Sequence, residues 1–552
     1  MKLARPSPKA SAWQAVFVAA LVLVIGSFEI GRPGYSVDEE FTEFAVRGIR
    51  AHGLPILPSG LLYDRGLAYS YASAIANGRI ISLICGALVV VVTFVVVRRH
   101  VATAAASLAA ILVATSVPFW ATATTARFYA PFLLLFLAAL AGYGTVGVSF
   151  AIAFLARLTH ELAFLLVLIP LLGRSWRSLA ATVGGLLSAQ ALLFLLHAID
   201  PPSGETMVRR FFFWQVVNLF ERPGDRQFGI AFVVMAFGVL LMPKRKWLWT
   251  VSALSIAAMI IAFSIARASN SAPLSNELVM TTLREGARYP LDMFWHIART
   301  TPLTLGVALA CLIARAIGIG GEWRVADRAA HLLWIGWVVW FGVIESGITT
   351  NYLLLPMSFM LIAIAIDVDA LGRAKARPYA YAAMAVVVMS VALDQWRGEG
   401  SIADRLEAAR PTIYIPGIDE IRESLQPTDR VVCTDELGCL MLVGRIDRWL
   451  ALDDYVRERF LVRESPEVMT GVYTGVPAVF RPAGVFSPNP DGTLPDRTIV
   501  IDIFKDYPIG NSRSWLPKAI EEDGLRVTPL LESPQARVLQ VSPPEREARL
   551  QP

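Results

Sequence analysis

The first polar segment after the N-terminal apolar run is Ser36-Val37-Asp38-Glu39-Glu40, which places three carboxylates in one short stretch. A structural interpretation is available, because Ser36 and Glu39 have capping-box spacing and acids in a first helical turn favour the helix dipole. The chemical interpretation is that a carboxylate here acts as general base on a hydroxyl, or helps to hold a divalent cation. We take Asp38 as the candidate base, Glu39 as its support and Glu40 as a solvated charge.

Four further polar elements stand at the ends of apolar runs: Tyr63-Asp64-Arg65-Gly66, Thr125-Ala126-Arg127-Phe128-Tyr129, Thr159-His160-Glu161 and Asn351-Tyr352. Arginine suits phosphate because its donors form a fork, and tyrosine is common at membrane interfaces. Each element also has a plain structural interpretation, as a solvated ion pair, an interfacial anchor with a snorkelling arginine, or a polar turn. No single element is specific for one chemistry.

The composition indicates a polytopic membrane protein. The chain has 552 residues, of which 55% are hydrophobic and 17% charged, and its mean hydropathy is +0.53. That balance is too apolar for a soluble protein of this size. The formal charge of +5 does not indicate nucleic-acid binding, because Lys and Arg cluster at the ends of apolar runs. The first run has no small-residue cleavage site after it, so we interpret it as a retained anchor.

Runs of roughly 20 apolar residues are long enough to cross a membrane as helices. We predict about thirteen spans, some of them short, at 12–30, 79–97, 102–118, 127–144, 145–158, 160–173, 178–198, 229–243, 247–266, 302–319, 329–346, 352–368 and 378–395. Basic residues fall in every second loop, as the positive-inside rule requires. This topology places the N-terminus in the cytoplasm, and it places the first loop and all five polar elements at outer ends.

The character of the chain changes near Trp396, where charges become frequent. We predict strands at 430–434, 445–450 and 498–503 and a helix at 435–443, which together favour a small α/β domain. The predicted domains are a transmembrane catalytic part at 1–395, with its first loop at 31–78, and a soluble extracytoplasmic part at 396–552 with a disordered end. In the first loop, residues 39–52 have the apolar spacing of an interfacial helix. Cys433 and Cys439 either form a disulfide there or remain free thiols.

The order of the polar elements resembles that of a known family. The motifs are the acidic Asp38-Glu39 loop, Tyr63-Asp64-Arg65, Ala126-Arg127-Phe128-Tyr129, Leu158-Thr159-His160 and Tyr352-Leu353-Leu354-Leu355-Pro356. They resemble the GT-C superfamily of glycosyltransferases that use polyprenyl-phosphate-linked sugars. Within it, the chain is most similar to the group containing protein O-mannosyltransferases and the lipid A aminoarabinose transferase. The resemblance covers about residues 12–395, and it implies a GT-C-like membrane fold.

The resemblance also implies roles for individual residues. The catalytic acid of the family falls on Asp38, with Glu39 beside it, and its acidic-basic pair falls on Asp64-Arg65. Two departures are visible in the sequence. Gly66 replaces a proline that usually follows the pair, which would loosen the backbone. Ala130-Pro131 replaces an Asp-Pro of the aminoarabinose branch, which argues against that specificity.

We therefore expect a membrane glycosyltransferase that moves a sugar, with inversion, from a polyprenyl-phosphate donor to an extracytoplasmic protein, lipid or glycan. The residues expected to bind the donor phosphate or sugar are Asp64, Arg65, Arg127, Tyr129, His160 and Tyr352. No cofactor is identified, and a divalent cation held among Asp38, Glu39, Asp64 and His160 is the open alternative. The expected location is a bacterial-type inner (plasma) membrane.

Two other classes share these features. A transporter or flippase for a lipid-linked substrate would have similar spans and charges, although such proteins tend to show repeated halves, and this sequence shows no internal repeat. A non-catalytic envelope assembly protein would use the carboxylates only as helix caps and the tail as a partner-binding domain. Transfer of a radiolabelled sugar from a polyprenyl-phosphate donor separates the enzyme from both classes.

Overall fold

The structure is a computed structural model. It describes residues 8–31, 34–36, 39–142, 144–173, 175–199, 297–316, 323, 325–344, 353–374, 385–391, 393–394, 412–413, 415–451, 461–463, 468–486, 495–503, 512–533 and 536–542.

The chain divides into two compact units. Unit 1 comprises Met1–Gly31, Arg65–Ala72 and Ala76–Arg410. Unit 2 comprises Arg32–Asp64, Ser73–Ile75 and Pro411–Pro552. Most of the first loop therefore packs with the C-terminal residues, whereas the sequence grouped the loop with the transmembrane part.

Helices dominate the described part of the chain. In order they are α1 (Pro8–Ile30), α2 (Glu39–His52), α3 (Leu67–Ile75), α4 (Gly78–Arg98), α5 (Thr103–Ala114), α6 (Val117–Ala123), α7 (Tyr129–Gly142), α8 (Val146–Thr159), α9 (Leu168–Leu172), α10 (Trp176–Ile199), α11 (Pro302–Ala316), α12 (Val325–Ile344), α13 (Leu354–Ala374), α14 (Ile418–Ser424), α15 (Glu436–Val443) and α16 (Ser512–Glu522). The strands are β1 (Tyr35–Ser36), β2 (Thr412–Ile413), β3 (Arg430–Cys433), β4 (Arg448–Leu450), β5 (Leu461–Arg463), β6 (Met469–Gly471), β7 (Ala478–Val479), β8 (Thr498–Ile503), β9 (Arg526–Glu532) and β10 (Ala536–Ser542).

Among the described residues, four helices are long and apolar enough to cross a membrane: α1, α4, α10 and α13. The count becomes five if α5 and α6, which meet at a bend of 62°, form one broken span. The sequence predicted an unbroken span at 102–118. The break has a local cause, because Thr115 Oγ1 donates to Ile111 O at 2.8 Å and Pro118 lies in the first turn of α6. Hydroxyl-to-backbone bonds and proline both favour ending a helix there.

The prediction of a continuous spanning helix at 160–173 is wrong. This segment is a 3-10 helix over Glu161–Val167, followed by the short helix α9. Pro170 contributes to the difference, because proline has no N–H to donate within a helix. The predicted spans at 229–243 and 247–266 lie outside the described residues.

Helices α11, α12 and α13 are joined by buried charges. Arg315 Nη2 lies 2.5 Å from Asp327 Oδ2, and Arg315 Nε lies 3.4 Å from Asp367 Oδ1. His331 Nε2 lies 2.8 Å from Asp367 Oδ2, and Trp334 Nε1 donates to His331 Nδ1 at 3.1 Å. Since the indole N–H is only a donor, His331 Nδ1 accepts and Nε2 carries the hydrogen toward Asp367. We call these charged residues, Arg315, Asp327, His331 and Asp367, the ionic cluster.

Replacing Asp367 by Asn removes the carboxylate that lies next to both Arg315 and His331. We expect unfolding to become easier by about 3–5 kcal/mol, because a buried charge loses its partner. The measurement is the thermal unfolding temperature of the full chain in nanodiscs. Ser358→Ala is the matched control on α13, because Ser358 is buried and its hydroxyl has no partner among the described residues. Equal unfolding temperatures for the two variants would contradict a stabilising role for the ionic cluster.

Unit 2 contains a six-stranded mixed sheet in the order β7-β4-β3-β8-β10-β9. The strands β7, β4, β3 and β8 run parallel, and β10 is antiparallel to both β8 and β9. The predicted strand at 498–503 is confirmed, and all six of its residues are buried. The predicted helix at 435–443 is also present as α15, with Asp435 before its first turn. A disulfide joins Cys433, at the end of β3, to Cys439 in α15.

The first loop is attached to this sheet region through backbone and aromatic contacts. Strand β1 pairs antiparallel with β2, and Tyr35 Oη donates to Gly438 O at 3.0 Å. The Phe41 ring stacks on Tyr63 at 5.5 Å and meets Tyr473 edge-on at 4.8 Å. The position of the acidic segment therefore depends on residues more than four hundred positions further along the chain.

Glu436, the first residue of α15, is a buried carboxyl inside unit 2. Thr474 Oγ1 donates to its Oε2, and its Oε1 has no partner among the described residues. A Cβ at position 471 would overlap this carboxyl, so Gly471 leaves the space that it occupies. Burial raises the pKa of Glu436 to about 8, against the opposing hydrogen bond from Thr474 and with a further contribution from Asp435.

Unit 2 should therefore lose stability as the pH rises through the neutral range. Between about pH 4.5 and pH 8 the folded state keeps a proton on Glu436 that the unfolded chain has released. The free energy of opening should then fall by about 1.4 kcal/mol per pH unit, and Glu436→Gln should flatten this slope. The measurement is hydrogen-exchange protection of β3 and α15 in the full chain from pH 5 to pH 9. The control Glu522→Gln, at an exposed position, should keep the slope, and an unchanged slope in Glu436→Gln would refute the assignment.

Candidate functional site

Arg127 lies in the turn between α6 and α7 of unit 1, with its side chain buried. Its guanidinium carbon lies 4.7 Å from the Phe128 ring centroid and 5.9 Å from that of Tyr129. Its backbone N–H donates to Thr125 O at 2.8 Å, which makes the turn tight. A cation over aromatic faces is attracted by the ring quadrupoles, so the rings help to hold the charge in this apolar surrounding.

His160 follows α8 in extended conformation and is also buried. Its ring centroid lies 5.0 Å from Phe128, 6.4 Å from Tyr129 and 5.1 Å from Phe132. The predicted elements at 125–129 and 159–161 therefore meet, although helices α7 and α8 separate them in sequence. Phe128 is their common contact, with Arg127 and His160 both packed against its ring.

Gly66 brings a third predicted element to Phe128. Its φ is +68°, and a Cβ at this position would lie 2.6 Å from Phe128 Cδ1. The expectation that Gly66 loosens the backbone is therefore wrong. Proline, which is restricted to φ near about −65°, cannot adopt this conformation, and any side chain would collide with the Phe128 ring. We call Gly66, Arg127, Phe128, Tyr129 and His160 the Phe128 cluster.

The other predicted site residues are distributed between the units. Asp38 and Tyr352 lie outside the described residues. Glu39 begins α2 in unit 2, where its Oε2 accepts from Ser36 N at 2.6 Å, as one half of a capping box requires. Asp64 and Arg65 are half-buried and belong to units 2 and 1 respectively.

Glu40 corrects one expectation. The sequence suggested a solvated charge, but the Glu40 side chain is completely buried. Glu40 is one of several buried residues of α2, which also include Glu39, Phe44, Ala45 and Val46. The expectation of a solvated charge considered the local sequence alone, whereas tertiary packing covers this position.

The described residues contain no group of three or more His, Cys, Asp or Glu side chains placed to hold a metal ion. The predicted ligand candidates were Asp38, Glu39, Asp64 and His160, and Asp38 lies outside the described part of the chain. His160 packs against the aromatic rings of Phe128 and Phe132.

Sequence reasoning missed two polar groups inside unit 1. Arg157 Nε donates to Gln190 Oε1 at 2.9 Å, which links α8 to α10, and the Arg157 guanidinium carbon lies 5.8 Å from the Phe164 ring. The ionic cluster of α11, α12 and α13 was missed as well. The sequence carried the same signal in both cases. An ionisable or amide side chain within an apolar run pairs with another polar group when it is buried.

No protein-family model matches the chain, and no curated protein is significantly similar to it in sequence. Among solved structures, the chain is similar to ArnT from Cupriavidus metallidurans bound to undecaprenyl phosphate, at 14% identity and a TM-score of 0.41, covering 95% of this chain and 97% of that one. The apo state of the same protein also has 14% identity and a TM-score of 0.41, with coverages of 96% and 98%.

Another similar structure is the archaeal oligosaccharyltransferase AglB from Archaeoglobus fulgidus, in complex with an inhibitory peptide and a dolichol-phosphate. It has 12% identity and a TM-score of 0.44, covering 90% of this chain and 70% of that one.

Gly66→Ala should destabilise the chain through two effects. An alanine at positive φ costs about 1–2 kcal/mol, and the collision with Phe128 adds about 1–3 kcal/mol of overpacking. Gly144→Ala is the matched control, because Gly144 has a φ of +97° and nothing within 4 Å of the added Cβ. We expect a larger drop in thermal unfolding temperature for Gly66→Ala than for Gly144→Ala. Equal drops would show that the contact with Phe128 is unimportant.

Proposed function

We propose that the chain is a membrane glycosyltransferase that transfers a sugar from a polyprenyl-phosphate donor to an acceptor hydroxyl outside the cytoplasm. The observation that carries the proposal is the Phe128 cluster. Three elements were selected from the sequence for their chemistry, at 63–66, 125–129 and 159–161, and residues of all three pack around one ring.

The cluster suits a lipid phosphate. Arg127 supplies a buried positive charge with forked donors, the geometry that binds phosphate oxygens best. Arg65 is the residue before Gly66, so in this proposal it provides a second cation next to the cluster. Tyr129 and His160 supply rings against which a sugar packs. A charge placed in a site with little water stabilises a developing anion more strongly than one in solution.

In the proposed reaction the acceptor oxygen attacks the anomeric carbon of the donor sugar. The new carbon–oxygen bond forms as the bond from that carbon to the lipid phosphate oxygen breaks, which inverts the configuration. Asp38 accepts the proton of the acceptor hydroxyl, with Glu39 as its support. Arg65 and Arg127 stabilise the lipid phosphate that leaves, and Asp64 and Tyr352 complete the proposed donor site.

Asp38→Asn should lower sugar transfer by about 10²–10⁴-fold, the usual contribution of a general base. The measurement is transfer of radiolabelled sugar from a polyprenyl-phosphate donor in membranes, with membrane insertion checked by protease protection. Glu43→Gln is the control, because Glu43 is an exposed acid on α2 that pairs with Arg47. Undiminished transfer by Asp38→Asn would remove this residue from the mechanism.

The wild-type assay also decides between function classes. A transporter or flippase moves the labelled lipid-linked sugar across the membrane and leaves the acceptor unlabelled. An assembly protein does neither. Either of these two results with the wild-type chain would contradict the proposed transfer activity.

A further inference from the structure

A chain of buried hydroxyl groups ends on the backbone of Arg127. Tyr69 in α3 and Ser82 in α4 are both buried, and their hydroxyl oxygens lie 2.8 Å apart. Tyr69 Oη also lies 2.7 Å from Gly78 O. Ser82 Oγ donates to Arg127 O at 3.0 Å. These contacts all lie within unit 1.

The hydrogens in this network can be assigned. Backbone carbonyls only accept, so the Ser82 hydroxyl hydrogen is donated to Arg127 O. The single Tyr69 hydroxyl hydrogen is then shared between Gly78 O and Ser82 Oγ, so that two hydrogens account for the three contacts. The Tyr69 hydroxyl thereby keeps the Ser82 hydroxyl turned toward Arg127.

Pro131 explains why the Arg127 carbonyl needs an outside donor. In a helix this carbonyl would accept from the N–H four residues later, but position 131 is proline and has no N–H. The following carbonyl has its helical partner, because Phe132 N donates to Phe128 O at 2.9 Å. A buried carbonyl without a donor is costly, and Ser82 supplies the missing bond.

We propose that Ser82, supported by Tyr69, is a positioning residue for Arg127. The bond from Ser82 fixes the carbonyl side of the Arg127 residue, and the bond from Arg127 N to Thr125 O fixes the amide side. The backbone of Arg127 is then fixed on both sides of its Cα, and its guanidinium lies against Phe128 and Tyr129. This inference rests on the proposed function, in which Arg127 binds the donor phosphate.

The test compares four variants of the full chain in nanodiscs. Ser82→Ala removes the donor, and Tyr69→Phe removes its support. Thr93→Val is the matched control on α4, because Thr93 is buried and its hydroxyl has no partner among the described residues. The double variant Ser82→Ala with Pro131→Ala restores an N–H in the helix at the position that Arg127 O needs.

We expect Ser82→Ala to raise the KM for the polyprenyl-phosphate donor about tenfold, the size of one buried hydrogen bond left unmade. Its kcat should change less, Tyr69→Phe should show a smaller rise, and Thr93→Val should behave as wild type. The double variant should recover most of the lost KM. An unchanged KM in Ser82→Ala, or a double variant no better than Ser82→Ala, would overturn the proposal.

Hydrogen exchange of the segment 125–132 gives a readout that needs no activity. Ser82→Ala should speed exchange in this segment by about tenfold, and the double variant should slow it again. If the wild type shows no sugar transfer, the proposed function fails while this measurement still tests the positioning role. Unchanged exchange in Ser82→Ala, with active wild type, rejects the positioning role alone.

Discussion

The backbone pairing of Tyr35–Ser36 with Thr412–Ile413 determines which part of the molecule holds the first loop. Only two residues on each side take part, and a hydroxyl bond from Tyr35 to Gly438 O extends the attachment. Gly438 lies within the disulfide-closed segment from Cys433 to Cys439, so its carbonyl is presented by a covalently restrained turn of chain. Support for the carboxylates of the first loop therefore comes from the C-terminal residues as well as from the loop itself.

Unit 1 depends on a different constraint, the need of buried polar groups for partners. Helix packing there is largely apolar, which by itself specifies relative positions only loosely. Polar pairs at a few places add directional contacts: Arg157 with Gln190, Asp367 with His331, and Ser82 with the Arg127 carbonyl. The bond from Ser82 to the Arg127 carbonyl follows from Pro131. Proline cannot supply a helical N–H to this carbonyl, and Ser82 on the neighbouring helix α4 donates to it instead.

Features set by length and hydrophobic pattern were predictable from the sequence. The segments at 79–97, 178–198 and 498–503 correspond to α4, α10 and β8. Features set by local backbone geometry were not, as the bend after Ala114 and the 3-10 helix at Glu161–Val167 show. The burial of Glu40 was unpredictable for another reason, because it depends on what packs over α2 rather than on α2 itself. The meeting of three polar elements at Phe128 required the fold, since sequence order gives no distances.

The attachment of the first loop has a consequence for how the chain is made. Tyr35 pairs with Ile413, which lies 378 positions later (413 − 35), and ribosomes add about 5–20 residues per second. The loop therefore emerges roughly 20–80 seconds before its strand partner exists. Throughout that interval the edge of β1 is unpaired and Phe41 lacks its contact with Tyr473. A chain whose synthesis stops before position 412 cannot complete this unit, so any quality control that recognises an open strand edge would act on it.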